Sequence, residues 1–224
     1  MGQVLPPAKR AALQSHGWTS VNSAAADAEG FKRDLLTLAA TLGTATRTRG
    51  RTVVDELVPV SEGKAQPRSL SRATGTGAQP WHMDMAHRPV PARYLALGML
   101  ECSSGTAATE LLDADLLLPD ELNEAASTEP FLVRTGAKSF YATIKGKGQP
   151  FFRLDPGCME GATERARRLM TLLADLCVPP TYVHRWTPGS ILVLDNWKVF
   201  HRRADARDDP TRSLFRVTIL GDSS

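Results

Sequence analysis

The chain has 224 residues, of which 42% are hydrophobic and 23% are charged, and its formal net charge at pH 7 is +3. This length is enough for one well-buried domain and short for two, and the composition excludes a disordered or fibrous protein. Arginine is scattered along the chain rather than concentrated in one basic run, so we expect no nucleic-acid partner.

The cysteines and the hydropathy pattern indicate a compartment. Cys102, Cys158 and Cys177 are odd in number and lack CxxC spacing, which favours a reducing compartment over a disulfide framework. The N-terminal residues show no positively charged segment followed by an apolar core. The longest apolar stretch, at residues 111–118, is too short to cross a bilayer. We therefore expect a cytoplasmic protein with no membrane partner.

In chain order, the hydrophobic periodicity predicts a few helices and many short strands. The predicted helices cover residues 1–17, residues 31–42, a short segment opened by Pro119, and residues 161–177. The predicted strands cover residues 18–21, 52–54, 57–60, 93–100, 109–112, 131–135, 139–144, 151–154, 181–186, 190–194, 199–203 and 214–220. A polar stretch at residues 61–80 predicts a long loop, which is either functional or merely a connection. This pattern predicts an antiparallel sandwich or barrel with flanking helices.

The stretch Trp81-His82-Met83-Asp84 carries the strongest chemical signal in the chain. His82 and Asp84 are two residues apart, so on an extended strand both side chains point to the same face. A second imidazole would complete two histidines and one carboxylate, the ligand set that non-haem Fe(II) oxygenases use while leaving coordination positions open. His201 is our candidate for the third ligand. A lone His-x-Asp is a weak motif, so the metal site needs support from the rest of the chain.

Two stretches fit together around these residues. The first is Pro80–Asp84 with Thr109, and the second is residues 191–201, ILVLDNWKVFH, followed by Arg212 and Arg216. Together they give a pattern that resembles the taurine/2-oxoglutarate dioxygenase superfamily, including its clavaminate-synthase-like and asparagine-oxygenase-like members. We read Asp195-Asn196 within the second stretch as a turn whose side chains hold the adjoining strand, not as metal ligands.

The resemblance extends over roughly residues 52–220 and implies a fold. It implies a mainly β protein with flanking helices, built on a double-stranded β-helix, the jelly roll of cupin-like proteins. The chain would then form one domain over residues 1–224, with a helical and strand extension at about residues 1–50 and the jelly-roll core at about residues 51–220.

The resemblance also implies a cofactor set and an activity. Fe(II) would be held by His82, Asp84 and His201, with 2-oxoglutarate and O2 as co-substrates. The implied reaction is hydroxylation or desaturation of a small molecule, with release of succinate and CO2. The carboxylate of Asp84 argues for oxygenation, because halogenating relatives lack it.

Three further residues match the family pattern and take roles from it. Arg212, eleven residues after the distal histidine, and Thr109 would anchor the far carboxylate of 2-oxoglutarate. Arg216, fifteen residues after that histidine, would face the keto-acid end of the co-substrate or an anionic group of the substrate. The two arginines are four residues apart and would share one face of a strand, and a guanidinium is the natural partner of a carboxylate.

Several arginines near the predicted mouth of the site favour a substrate with a carboxylate. They are Arg72, Arg88, Arg153 and Arg216, and Arg153 lies in a stretch that resembles the substrate loop of the clavaminate-synthase-like branch. We therefore expect a free amino acid or an amino-acid derivative rather than a sulfonate or an aryloxy acid.

Two other classes of protein stay open at this stage. The same three ligands could serve a Zn(II)- or Mn(II)-dependent hydrolase or isomerase on a cupin-like barrel, which would not need Arg212. A catalytically inactive small-molecule-binding member of the fold is the other alternative, although such a protein usually loses at least one ligand. The segment between Asp84 and His201 looks short for a lid, which leaves open a homo-oligomer whose second subunit supplies part of the wall.

Overall fold

The computed structural model describes residues 4–48, 52–65, 69–136, 138–209 and 212–221. Residues 1–3 of the first predicted helix and residues 66–68 of the predicted loop lie outside these ranges. The helices within them are α1 (Pro7–His16), α2 (Ala28–Ala40), α3 (Leu70–Thr74), α4 (Ala114–Leu117), α5 (Asp120–Thr128) and α6 (Glu164–Asp175). The strands are β1 (Trp18–Asn22), β2 (Gly43–Thr46), β3 (Val54–Leu57), β4 (Tyr94–Met99), β5 (Thr109–Asp113), β6 (Phe131–Thr135), β7 (Lys138–Ala142), β8 (Met159–Gly161), β9 (Tyr182–His184), β10 (Ser190–Asp195), β11 (Val199–Arg203) and β12 (Leu214–Gly221).

Antiparallel pairing joins these strands into three sheets. The largest has the order β1-β10-β4-β12-β2, with β3 also paired to β12, and the second has the order β11-β5-β9. The third, β7-β6-β8, packs with α6 around a separate core cluster. Mainly antiparallel sheets with flanking helices confirm the predicted fold class.

Strand β10 explains how the two main layers form. Its run of apolar residues is buried on both faces, and successive side chains alternate between them. Ile191 and Val193 pack with helix α2, whereas Leu192 and Leu194 pack between the large sheet and the β11-β5-β9 sheet. The metal-ligand candidate on β11 therefore lies on a sheet that is held against the large one by an apolar core.

Helix α2 covers the outer face of the large sheet. The Asp27 side chain caps its N-terminus by accepting a hydrogen bond from the Gly30 amide at 2.7 Å. Phe31 and Leu35 on its buried face lie directly over Gly98 of β4, where an added Cβ would be 2.8 Å from the Phe31 ring and 3.1 Å from Leu35. The close approach of helix and strand therefore depends on a residue without a side chain.

The structure corrects several predicted elements. One strand at Val54–Leu57 replaces the two predicted at residues 52–54 and 57–60, because pairing with β12 selects the middle of that segment. The segment predicted as a strand at residues 151–154 has only an isolated bridge, between Lys145 and Phe152. Five elements in the described ranges were not predicted: β2, β8, α4 and, within the long polar stretch, α3 and a 3-10 helix at Glu62–Lys64.

The N-terminal residues are part of the main sheet. Strand β1 pairs with β10, and β2 pairs with β12, so both extend the sheet that carries the core strands. The predicted division into an extension and a core at about residue 50 stays a prediction. No helix in the described ranges is long and apolar enough to span a membrane.

Candidate metal centre and its cavity

His82, Asp84 and His201 converge in the structure, as the sequence predicts. Their candidate ligand atoms all lie within 4.8 Å of one another. His82 and His201 form an isolated antiparallel bridge, in which the His82 amide donates to the His201 carbonyl at 3.2 Å and the His201 amide donates back at 3.0 Å. This pairing places the two imidazole rings 4.4 Å apart.

The His-x-Asp stretch is not the extended strand that the sequence predicts. Backbone pairing stops after His82, and Asp84 begins a turn. The Asn196 side chain holds this turn: its oxygen accepts from the Asp84 amide at 2.9 Å, and its nitrogen donates to the carbonyls of Asp84 at 3.0 Å and Ala92 at 2.9 Å. The interpretation of residues 195–196 as a structural turn is therefore confirmed, and Asn196 also fixes the backbone of a candidate ligand.

The protonation states of the three residues suit a divalent cation. Burial raises the pKa of Asp84, but the charges of Arg216 and the two histidines outweigh it and hold the pKa well below its usual range. Burial and repulsion by His82 lower the pKa of His201 to about 3. His82 Nδ1 lies 3.0 Å from the Pro80 carbonyl oxygen, which can only accept, so Nδ1 is the donor in this hydrogen bond and Nε2 is the candidate ligand atom. One ionised carboxylate and two imidazoles fit the donor set of a two-histidine, one-carboxylate metal site.

Arg216 contacts the candidate ligand Asp84 directly. Its Nη1 donates to Asp84 Oδ2 at 2.8 Å, and its Nη2 donates to Asp55 Oδ2 at 2.9 Å and to the Thr48 hydroxyl at 3.3 Å. Burial alone lowers the pKa of Arg216, but the two carboxylates outweigh it and raise the pKa above its ordinary value. Both terminal nitrogens are thus bonded to protein carboxylates, and the predicted role of Arg216 towards co-substrate or substrate stays a prediction.

The three residues open into a cavity of about 670 Å³. Its wall also includes Thr109 and Arg212, so the structure brings both predicted anchors of 2-oxoglutarate to the same space as the metal ligands. Arg212 is 7% exposed, and neither its Nε nor its Nη1 has a partner in the described part of the chain. Burial and the nearby Arg203 guanidinium lower the pKa of Arg212 to about 10, against the opposing attraction of Asp209. A buried cation with unpaired donors is suited to bind an anion.

The position of Arg212 differs from the prediction in one respect. It precedes β12, which begins at Leu214, so it does not share a strand face with Arg216. Arg203 lies opposite Thr109 in the β11-β5 pairing and also lines the cavity. Its Nη2 donates to the carbonyls of Gly75 at 2.8 Å and Gly77 at 2.7 Å.

Three arginines that the sequence placed near the substrate do not line this cavity. Arg72 is exposed on α3, where it donates to the Glu62 carbonyl at 2.8 Å, and the side chain of Arg88 is exposed to solvent. Arg153 is 1% exposed and bonded to backbone carbonyls. Because none of these three side chains lines the cavity that holds the candidate metal ligands, the substrate roles of Arg72, Arg88 and Arg153 stay predictions without support in this cavity.

Sequence reasoning missed the acidic side of the cavity. Asp55, Glu56 and Asp155 line it together with His87 and Lys64. Asp55 and Glu56 carry no sequence signal, because a carboxylate on a short strand is usually a solvated residue. Asp155 had a weak one, since it lies two residues after Arg153 in the stretch that resembles a substrate loop.

Residues 117–218 match the family model described as "Taurine catabolism dioxygenase TauD, TfdA family". No curated protein matches the chain significantly. Among solved structures, an asparagine oxygenase in complex with Fe(II), 2S,3S-3-hydroxyasparagine and succinate is 19% identical, with a TM-score of 0.73 over 96% of this chain and 80% of the other. The non-haem iron oxygenase OrfP in complex with Fe and alpha-ketoglutaric acid is 20% identical, with a TM-score of 0.70 over 96% and 78%.

PvcB from Pseudomonas aeruginosa is 20% identical, with a TM-score of 0.68 over 97% of this chain and 82% of that one. At these identities the similarity shows the fold, which is a double-stranded β-helix carrying a two-histidine, one-carboxylate group. The resemblance of the sequence to the taurine dioxygenase superfamily has a family-model match over residues 117–218 behind it, and the solved structures share the fold over nearly the whole chain.

Proposed function

We propose that the chain is an Fe(II)- and 2-oxoglutarate-dependent oxygenase acting on a C–H bond of a small carboxylate-bearing metabolite, an amino acid or an amino-acid derivative. The observation that carries the proposal is the coincidence of two sites in one cavity. The ligand atoms of three candidate metal ligands lie within 4.8 Å of one another, and Arg212, two of whose guanidinium nitrogens have no partner among the described residues, lines the same cavity as Thr109. A metal-dependent hydrolase or isomerase would need only the first of these.

Each residue has a distinct task in this proposal. His82, Asp84 and His201 would hold Fe(II), which when bound with 2-oxoglutarate and O2 supplies the oxidising chemistry. Three ligands leave coordination positions open for the co-substrates. Arg212 would bind the distal carboxylate of 2-oxoglutarate through charge-assisted hydrogen bonds, and Thr109 would contribute its hydroxyl at the same end.

The charges that remain in the cavity wall support a zwitterionic substrate. Asp155 accepts the Gly157 amide at 2.8 Å through Oδ1 and has no cationic partner among the described residues, so it can bind an ammonium group. Lys64 lies at the exposed rim, has no carboxylate partner there, and can bind a carboxylate. An amino acid carries both groups, whereas a sulfonate or an aryloxy acid without an amine leaves Asp155 unmatched.

Succinate formation tests the proposal. Purified protein with Fe(II), 2-oxoglutarate and O2 is incubated with a panel of amino acids, N-acylated amino acids, sulfonates and aryloxy acids. We expect succinate above the background of the His82→Ala variant only with compounds that carry a free amine and a carboxylate. Asp155→Asn should raise KM for that compound and leave KM for 2-oxoglutarate unchanged. Succinate stimulated only by compounds without an amine would contradict the substrate class.

A further inference from the structure

Arg153 is a buried ion without a counter-ion. It is 1% exposed, and no carboxylate in the described part of the chain lies within salt-bridge distance of it. Taking a guanidinium out of water is costly unless the protein supplies polar partners. Two aromatic rings contact the Arg153 guanidinium: its central carbon lies 5.2 Å from the Phe140 ring centroid and 5.3 Å from that of Phe151. The remaining compensation has to come from hydrogen bonds.

Those hydrogen bonds all go to one irregular segment of backbone. Nη1 donates to the carbonyls of Ala86 and Arg88, the latter at 2.7 Å, and Nη2 donates to the Pro89 carbonyl at 2.7 Å. Residues 86–89 belong to no helix or strand, so no regular backbone pairing satisfies their carbonyls and a side chain supplies the donors. A planar guanidinium presents two separate terminal nitrogens to the three acceptors, whereas the donors of a lysine ammonium all radiate from one atom and an apolar side chain has none.

The segment that Arg153 holds begins at Ala86, two residues after the candidate ligand Asp84. Met85 has φ 59°, a conformation that a residue with a side chain adopts only when its surroundings enforce it. The Arg88 amide closes the turn by donating to the Met85 carbonyl at 2.9 Å. The strained turn at Met85 therefore sets the direction of the backbone on the C-terminal side of Asp84.

The chain next to Arg153 also holds the other side of Asp84. The Leu154 carbonyl accepts from the Met83 amide at 2.8 Å. Residues 153–154 thus fix the backbone immediately before and shortly after the ligand, while Asn196 fixes the ligand's own amide and carbonyl. Met85 and Asp155, which lie close in the chain to the bonded residues Met83 and Leu154, both line the cavity.

We propose that Arg153 is a positioning residue for the metal centre: by bonding residues 86–89 from the buried side, it holds the turn that orients Asp84 towards the two histidines. The proposal rests on the proposed function, because it assigns the metal to His82, Asp84 and His201. Loss of the Arg153 guanidinium should weaken metal binding more than it lowers the stability of the fold, and this distinguishes the proposed role from a purely structural one.

Co(II) binding tests this proposal without requiring turnover. Wild-type protein, Arg153→Lys and Arg153→Met are titrated with Co(II), and the visible d–d spectrum reports the ligand geometry. Arg153→Lys keeps the buried charge and Arg153→Met keeps the apolar volume, so the two variants disturb the fold in different ways and either one that folds tests the proposal. The matched control is Leu169→Ala, which removes a 2%-exposed side chain of α6 from the same core cluster and takes away no hydrogen bond to residues 83–89. Thermal unfolding is measured for all four proteins.

We expect the Arg153 variants to bind Co(II) about tenfold to a hundredfold more weakly than wild type, with an altered d–d spectrum, as for other residues that orient metal ligands. Leu169→Ala should lower Tm and keep the affinity and the spectrum of wild type. A folded Arg153 variant with wild-type Co(II) affinity and spectrum would overturn the proposal. The proposal would also fail if Leu169→Ala lost as much Co(II) affinity, for the same decrease in Tm, as the Arg153 variants. Wild-type protein that binds no Co(II) would overturn the proposed function together with it.

Discussion

Arg212 is the residue whose surroundings predict a bound anion most directly. Its guanidinium is buried and close to Arg203, and two of its nitrogens have no partner in the described ranges. We expect Arg212→Ala to raise the apparent KM for 2-oxoglutarate by an amount that corresponds to roughly 2 to 5 kcal/mol, because one partner of a desolvated charge pair is removed. The matched control is Arg134→Ala, which removes an exposed arginine paired with Glu160. An unchanged KM for 2-oxoglutarate in Arg212→Ala would remove the assigned anchor.

His184 gives a pH dependence of stability with a definite sign. Burial lowers its pKa from 6.5 to about 4. Below pH 6.5 the unfolded chain binds a proton at this residue and the folded chain does not, so the free energy of unfolding falls as the pH decreases from 6.5 to about 4. The full loss is about 3 kcal/mol at 1.36 kcal/mol per pKa unit.

Urea unfolding at several pH values, with a chelator present, measures this contribution. We expect His184→Gln to lose stability less steeply than wild type over that window, because its unfolded chain no longer gains a proton at this position, whereas the groups of the metal centre are common to both proteins. His16→Gln removes an exposed histidine and serves as the control. Parallel curves for wild type and His184→Gln would show that burial of this ring does not set the pH dependence.

At the scale of elements, the contact between α2 and β4 predicts a stability effect that is separate from chemistry. A methyl group at Gly98 would lie 2.8 Å from the Phe31 ring, closer than packed atoms tolerate. Gly98→Ala should therefore lower the free energy of unfolding by about 1 to 3 kcal/mol, as overpacked cores do. Gly63→Ala is the matched control, because no atom lies within 4 Å of the added carbon. Equal unfolding midpoints for the two variants in urea would contradict this packing.

The turn between β10 and β11 is bonded to a segment that lies more than a hundred residues earlier in the chain. Asn196 is 2% exposed and donates to the carbonyls of Asp84 and Ala92. Asn196→Asp keeps the shape but places a carboxylate oxygen against both carbonyls. We expect a loss of about 2 kcal/mol or more in the free energy of unfolding, together with weaker metal binding. Isothermal titration with Co(II) and urea unfolding measure the two effects, and wild-type values for both would exclude this role of Asn196.

The element predictions succeeded where a strand is fully buried and failed at edges and irregular segments. The apolar run of β10 and the capped helix α2 are specified locally. Strand β2, with the sequence Gly-Thr-Ala-Thr, has no apolar alternation and exists because β12 pairs with it. Residues 151–154 are apolar enough to predict a strand, but Arg153 pairs its amide with the Ile144 carbonyl and its side chain with the turn at residues 86–89, neither of which spacing reveals.

For the whole molecule, the predictable part of the site is the part with fixed spacing along the chain. His201, Arg212 and Arg216 lie within the residues matched by the family model. His82 and Asp84 lie outside those residues, and the antiparallel bridge between His82 and His201 brings them to the site. The acidic wall at Asp55 and Asp155 was missed because it is assembled from separate segments. Cytoplasmic localisation and the oligomeric state stay predictions.

The central claim is that one cavity binds Fe(II) and 2-oxoglutarate together, and an anaerobic visible spectrum tests it most directly. Fe(II) is added to the wild-type protein and then 2-oxoglutarate, with His201→Ala as the variant that lacks a ligand and Arg134→Ala as the control. We predict a weak charge-transfer band on addition of 2-oxoglutarate to wild type and Arg134→Ala, and none with His201→Ala. Wild-type protein that binds Fe(II) but gives no band with 2-oxoglutarate would contradict the claim and favour a metal-dependent hydrolase or isomerase.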